Sequence, residues 1–362
     1  MESIESTCSV DSQSLHHVLC RGVVIPAHPL ALDANRRLSE LRQRALSRYY
    51  LSAGAGGLAV AVHTTQFQIH DPTIGLLKPV LALAAEEMDR SDATRREPLM
   101  RVAGICGDTH QAVQEARVAR DLGYHYGLLS LAALKHRSLS QLINHCRAVA
   151  DVIDVFGFYL QPLAGGLLLP YGFWREICEV PNIKAIKIAP FNRYQTLDVV
   201  RAVVDSGRED IALYTGNDDN IINDLLTPYR LKCGNQTSER RIVGGLLGQW
   251  SVGTSRAVEL FQRCRNVEYS QNPKAYPDLL RCSVELTDVN AAVFDAANKF
   301  SGCIPGINEV LHRAGLLEGN WCLDENEVLS PGQAEELDRV ESSYPHLFDT
   351  RFIAENRDAW LN

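Results

Sequence analysis

The sequence predicts a (β/α)8 TIM barrel with a C-terminal helical extension, and three observations carry the prediction. Short, apolar, β-branched runs alternate with helix-spaced segments eight times in succession. The eight units occupy about 240 residues, the span of a closed barrel of parallel strands. An open doubly wound sheet would place a glycine fingerprint after a strand, whereas Gly54-Ala55-Gly56-Gly57 precedes its strand and ends a helix. The expected divisions are a polar, loosely held segment over 1–19, the barrel over 20–268 and the extension over 269–362.

Arg21 to Pro26 is the first strand, and its helix runs from Asp33 to Ser52 with Leu38, Leu41, Ala45 and Tyr49 at helical spacing. Gly57 to Val62 is the second strand, followed by a helix from about Pro72 to Asp89. Leu99 to Ile105 forms the third; Asp108 or Thr109 caps a helix that stops at Gly123. Tyr126 to Leu129 is the fourth, and Ser138 or Ser140 opens a helix to Val152. Val155 to Leu160 is the fifth and the apolar stretch Val180 to Pro190 the sixth, with helices over Pro170–Glu179 and Tyr194–Ser206. Ile211 to Tyr214 is the seventh, with a helix through Leu226. The polar stretch from Tyr229 to Arg241 reads as an inserted loop before the eighth strand, Val243 to Leu247, and its helix, Thr254 to Arg263. Residues 273–362 are helical, broken near Gly302–Gly306, Gly315 and Ser330-Pro331-Gly332, and are expected to pack outside the barrel.

Composition narrows the function. Of 362 residues, 46% are hydrophobic and 22% charged, values of a globular chain with a sizeable core. A formal charge of −8 and the lack of any basic run argue against a nucleic-acid-binding surface. No apolar run approaches the ~18 residues of a membrane span, and Met1-Glu2-Ser3-Ile4-Glu5-Ser6 is unlike a secretory signal. Ten scattered cysteines form no Cys-x-x-Cys pair, which suits a reducing, cytoplasmic setting. With no His-x-His or His-Glu-x-x-His either, no metal and no cofactor are expected.

The chemistry centres on Val180-Pro181-Asn182-Ile183-Lys184-Ala185-Ile186-Lys187-Ile188. A strand buried on both faces has little reason to hold a lysine, because an ammonium there is costly unless paired or neutralised by desolvation. A neutral lysine amine is the nucleophile of Schiff-base chemistry. Alternation puts Lys187 with Ile183 and Ala185 on one face and Lys184 on the other. Barrel active sites gather at the C-terminal ends of strands. The other ends carry His63-Thr64-Thr65, Tyr159, Thr215-Gly216-Asn217-Asp218-Asp219 and Gly248-Gln249-Trp250. Asp218 and Asp219 could equally cap the following helix, and Thr64 and Thr65 the loop after the second strand.

Together these residues resemble the dihydrodipicolinate synthase / N-acetylneuraminate lyase family of class I aldolases and lyases. Asn182-Ile183-Lys184-Ala185-Ile186-Lys187 is similar to the family segment ending in Gly-Ile-Lys, and Tyr159-Leu160-Gln161-Pro162 to its Tyr-Asn-x-Pro. His63-Thr64-Thr65 resembles its Gly-Thr-Thr-Gly-Glu loop, and Gly216-Asn217-Asp218-Asp219 a Gly-x-Asp-acidic segment. The resemblance implies Lys187 as Schiff-base lysine and Tyr159 as proton relay. It also implies a substrate held by Thr64, Thr65, Gly216, Asp218 and Asp219; the places of His63 and Gln249 at strand ends make them further candidates for substrate binding. Departures are His63, Gln66 and Phe67 in the threonine loop, Ala132-Ala133-Leu134 in place of a tyrosine pair, and Ala164 in place of a substrate-binding arginine.

The activity implied is that of a lyase or aldolase acting through a lysine iminium on a 2-oxo acid such as pyruvate or a hydroxylated or deoxy sugar acid. The rival expectations are a dehydratase or hydratase-aldolase using the same imine, and a catalytically silent metabolite-binding barrel. The family also implies a homo-oligomer.

Overall fold

The computed structural model describes residues 12–362. The sheet runs in the order β1 (Val24–Pro26), β9 (Gln236–Leu247), β7 (Ala212–Thr215), β6 (Ile183–Ile188), β5 (Asp154–Tyr159), β4 (Tyr126–Leu129), β3 (Met100–Ile105), β2 (Gly57–Val60). All seven of these pairings are parallel, and an Ala27–Ala59 bridge joins β1 to β2, so eight strands close into a barrel. The predicted fold class holds.

Strand positions agree with the sequence expectation to within three residues at each end, except over the polar stretch expected to be a loop. Pro228–Cys233 (β8) and the first half of β9 form an antiparallel hairpin, with Cys233 opposite Gln236 across a Gly234-Asn235 turn. One face packs Tyr229 and Leu231, half-buried, against the outer apolar layer and the other is solvated; an alternation of two apolar residues among charged and polar ones is too short to mark a strand in the sequence.

Two boundaries also shift. Residues 1–11 of the segment expected to be loose lie outside the described residues, but Ser12–Arg21 (α1) is a helix that buries Val18 and Leu19 against the barrel interior cluster. The helix expected from Asp33 starts at Glu40 (α2, Glu40–Ser52), because Arg36 adopts φ 57° and Leu32 bridges Leu38 ahead of it. The remaining barrel helices are α3 (Leu77–Asp92), α4 (Thr109–Asp121), α5 (Leu139–Ala150), α6 (Tyr171–Ile177), α7 (Arg193–Ser206), α8 (Ile221–Leu226) and α9 (Thr254–Asn266). Asp108 caps α4 by accepting from Gln111 N–H, Ser138 caps α5 from Gln141 N–H, and Gly207 ends α7 in the left-handed conformation.

Two apolar layers result. Met100, Val102, Leu128, Phe156, Phe158, Ala185 and Tyr214 fill the barrel; the outward strand residues pack under the helices. The extension forms α10 (Ala275–Val293), α11 (Cys303–Arg313), α12 (Gln333–Ser343) and α13 (Thr350–Trp360). The break expected at Gly302–Gly306 falls over 294–302, and Pro305 and Gly306 sit in the first turns of α11. Part of the extension does pack outside: Trp360 Nε1 donates to Ser52 Oγ, and Tyr49 Oη donates to Asp349 at 2.8 Å. The segment 294–307, however, folds over the barrel mouth.

Candidate active site

A cavity of about 330 Å³ opens at the C-terminal ends of the strands. Lys187, the penultimate residue of β6, stands in it, buried, with Nζ 4.5 Å from the centroid of the Phe158 ring. A register shift between Val155 and Phe156 lets Ile183 face outward, after which Ala185, Lys187 and Ala189 point inward and Ile186 and Ile188 outward. Lys184 stays outside, donating to Pro181 O at 3.0 Å. Gly216 makes room for the lysine stem: a Cβ there would lie 2.5 Å from Lys187 Cε.

Burial pulls the Lys187 pKa down to about 8, and the Asp218 carboxylate opposes that. Burial pushes Asp218 up to about 7, and the lysine charge opposes that in turn. Asp218 is half-buried, opening onto the cavity, and its Oδ1 accepts from Gln249 N–H at 3.3 Å. It does not cap α8, whose N-cap residue is Asn220. The turn that carries it is fixed from below: buried Asp224 accepts from Thr215 Oγ1 at 2.6 Å and Asn217 Nδ2 at 2.8 Å and pairs with Arg193.

Of the other expected residues, His63, Thr64 and Gly216 also line the cavity. Burial and the lysine charge hold His63 down near a pKa of about 4, leaving it neutral. Thr64 and Thr65 spend their hydroxyl protons on backbone, Thr64 Oγ1 on Ala27 O at 2.8 Å and Thr65 Oγ1 on His28 O at 2.6 Å. The loop is anchored beneath by His70, bonded to Ala61 O at 2.8 Å and to Glu115 at 2.9 Å. Glu115 also accepts from Cys106 N–H and Gln111 Nε2, both at 2.8 Å.

Four expected residues are not brought to the lysine. Tyr159 is the chief one: it pairs with Ile188, belongs to the layer under the helices and lies 5.1 Å from Trp174 ring to ring. Its hydroxyl donates to Leu169 O at 3.2 Å and accepts from Leu169 N–H at 3.3 Å. Thr65 is buried behind Thr64. Asp219 is exposed beside a smaller hollow. Gln249 is buried, reaching the site only through its backbone N–H.

The sequence reading missed the contribution of the extension, since Phe294, Lys299, Phe300, Ser301, Cys303 and Ile307 line the cavity. Backbone strain marks the same place. Six non-glycine residues have positive φ among the described residues, and five flank this mouth: Ala61, Gln66, Asp295, Lys299 and Phe300. The first of the two strained segments also meets the tail, since Gln66 Oε1 accepts from Leu323 N–H at 2.6 Å. Among the described residues no group of three or more His, Cys, Asp or Glu side chains could hold a metal ion.

No family model matches the sequence. Over 130 residues the chain is 30% identical to the 4-hydroxy-tetrahydrodipicolinate synthase of Caldicellulosiruptor saccharolyticus and 29% to that of Caldicellulosiruptor bescii, in each case 35% of this chain and 41% of the relative. The chain thus matches about two fifths of the length of these curated relatives. The crystal structure of N-acetylneuraminate lyase from Fusobacterium nucleatum aligns with a TM-score of 0.68 at 16% identity, covering 90% of this chain and 99% of the lyase. The complex of that lyase with pyruvate gives 0.67 at 15%, over 90% and 98%. Dihydrodipicolinate synthase from Oceanobacillus iheyensis gives 0.70 at 17%, over 91% and 99%. The sequence similarity is thus confined to part of two 4-hydroxy-tetrahydrodipicolinate synthases, and the likeness to the solved lyase and synthase structures, at 15–17% identity, is one of fold.

Proposed function

We propose that the protein is a class I lyase or aldolase that captures a 2-oxo acid as an iminium on Lys187. The observation that carries this reading is a desolvated lysine amine, opposed by one carboxyl group, in the cavity at the C-terminal ends of the strands. Neutral Nζ attacks the ketone carbon and forms the C–N bond. One amine proton and one from the Asp218 carboxyl go to the ketone oxygen, which leaves as water, so the iminium keeps one N–H. The Phe158 ring face under Nζ favours the cation so formed.

Asp218, now a carboxylate, can take the proton of a 4-hydroxyl as the C3–C4 bond breaks and its electrons enter the iminium. An aldehyde and an enamine result; Asp218 returns the proton to C3, and hydrolysis releases the shortened 2-oxo acid. The role implied for Tyr159 thereby falls to Asp218, the titratable group that faces the amine. Using the same iminium to lose a β-hydroxyl would give a dehydratase. Incubation with a panel of 4-hydroxy-2-oxo acids tests the reading: release of pyruvate with an aldehyde is expected. Turnover of every panel member by water loss alone would assign the dehydratase, and no turnover of any would contradict both.

A further inference from the structure

Above the amine the cavity changes character. Its walls are Leu160 and Leu163 from the segment after β5, Phe191 after β6, and Phe294, Phe300 and Ile307 from the extension. Leu163 is 64% exposed, an apolar side chain left at the rim with nothing over it. Hydroxyls on a substrate tail would meet few partners here, because Asp219 and the Gln249 side chain lie outside the cavity. Gln161, Lys299 and Ser301 are the polar members of the rim.

The loop that brings Phe300 is built at a cost. An aromatic residue at φ 67°, next to Lys299 at φ 58°, occupies a region that β-carbon crowding disfavours. It is held there from beneath: Phe300 N–H donates to Asp295 O at 3.0 Å, and the buried Asp295 carboxylate accepts from Gly302 N–H, Asn298 Nδ2 and Ser330 Oγ. The outcome is one ring placed edge-on to another, Phe300 to Phe191, at 5.5 Å and 68°.

Resting on the imine reading above, we propose that the substrate is a 2-oxo acid with an apolar, planar or branched tail, packed against Phe191 and Phe300, and not a polyhydroxylated sugar acid. The strained loop is then a specificity element. It presents a flat apolar wall to the part of the substrate farthest from the reacting carbon.

The test is the concentration of oxo acid that half-saturates borohydride trapping, read by intact mass, with pyruvate, 2-oxo-4-phenylbutanoate and 2-oxo-3-deoxygluconate. The aryl acid is expected to half-saturate at a concentration about 100-fold below the sugar acid, the discrimination an apolar pocket exerts against hydroxyls. Phe300→Ala is expected to narrow that ratio by about tenfold or more, since one methylene of contact in an apolar pocket is already worth about that much. Equal or tighter trapping of the sugar acid overturns the apolar-tail proposal and leaves the imine reading standing. An unchanged ratio in Phe300→Ala removes the loop from specificity. No adduct with any of the three overturns the imine reading and this proposal with it.

Discussion

Phe158 and Lys187 are register partners on β5 and β6, and both face the barrel interior. Because side chains alternate along a strand, the next pair, Tyr159 and Ile188, must face the helices. One step of register therefore separates a phenyl ring that touches the amine from a phenol that does not.

Tyr159→Phe should consequently leave kcat/KM nearly unchanged. Losing the two hydrogen bonds to Leu169 should lower stability by about 1–2 kcal/mol. Steady-state kinetics and urea unfolding check the two halves. A fall in rate of about 100-fold or more would return the phenol to the reaction.

The pH profile follows from the Lys187–Asp218 pair. With pKa values about 8 and about 7, the reactive arrangement, neutral amine beside neutral carboxyl, exists when the pair has lost one of its two protons. Imine formation should trace a bell with limbs near those values. Asp218→Asn should lower the rate by about 10²–10⁴-fold. It also removes the negative charge that raises the lysine pKa, so a single ascending limb should remain, below pH 8. An unaltered bell in the variant would refute the pairing.

Gly216→Ala places a methyl group against the lysine stem, 2.5 Å from Cε and 2.8 Å from Ala189 Cβ. Displacing Nζ by about 1 Å should cost roughly 100-fold in trapping rate. Circular dichroism should stay that of wild type. Normal trapping would mean that the amine does not need its observed position.

The His70–Glu115 pair anchors the threonine loop. Burial lowers the His70 pKa, but hydrogen bonds with Cys106 and Glu115 outweigh it and raise the value to about 10. A raised folded pKa means that this stabilisation is complete below about pH 6.5 and is lost as pH rises toward 10. Glu115→Gln, which leaves a buried histidine without its counter-charge, should cost about 3–5 kcal/mol near neutrality. It should also flatten the alkaline decline. Denaturant midpoints measured across that pH range read both effects.

The barrel and its lysine were legible because both rest on local patterns. Strand–helix alternation repeats eight times, and a cation inside an apolar run stands out against its neighbours. The same continuity hid the facing of Tyr159: Val155-Phe156-Gly157-Phe158-Tyr159 is apolar at every position, so no alternation distinguishes inside from outside. Alternation on β6 still separated Lys187 from Lys184, although the shift at Ile183 broke the pattern at its first residue. The role of Phe294, Lys299 and Phe300 had no local signal. They reach the cavity through tertiary folding of a segment more than 100 residues beyond the lysine, and the positive φ values of Lys299 and Phe300 favour no side chain present there.

The central claim is that Lys187 captures the substrate covalently, and borohydride trapping with pyruvate followed by peptide mapping tests it most directly. One reduced pyruvyl adduct is expected on the peptide containing Lys187, absent from Lys187→Ala and retained in Lys184→Ala. An adduct that survives Lys187→Ala, or no adduct on the wild-type protein, would contradict it.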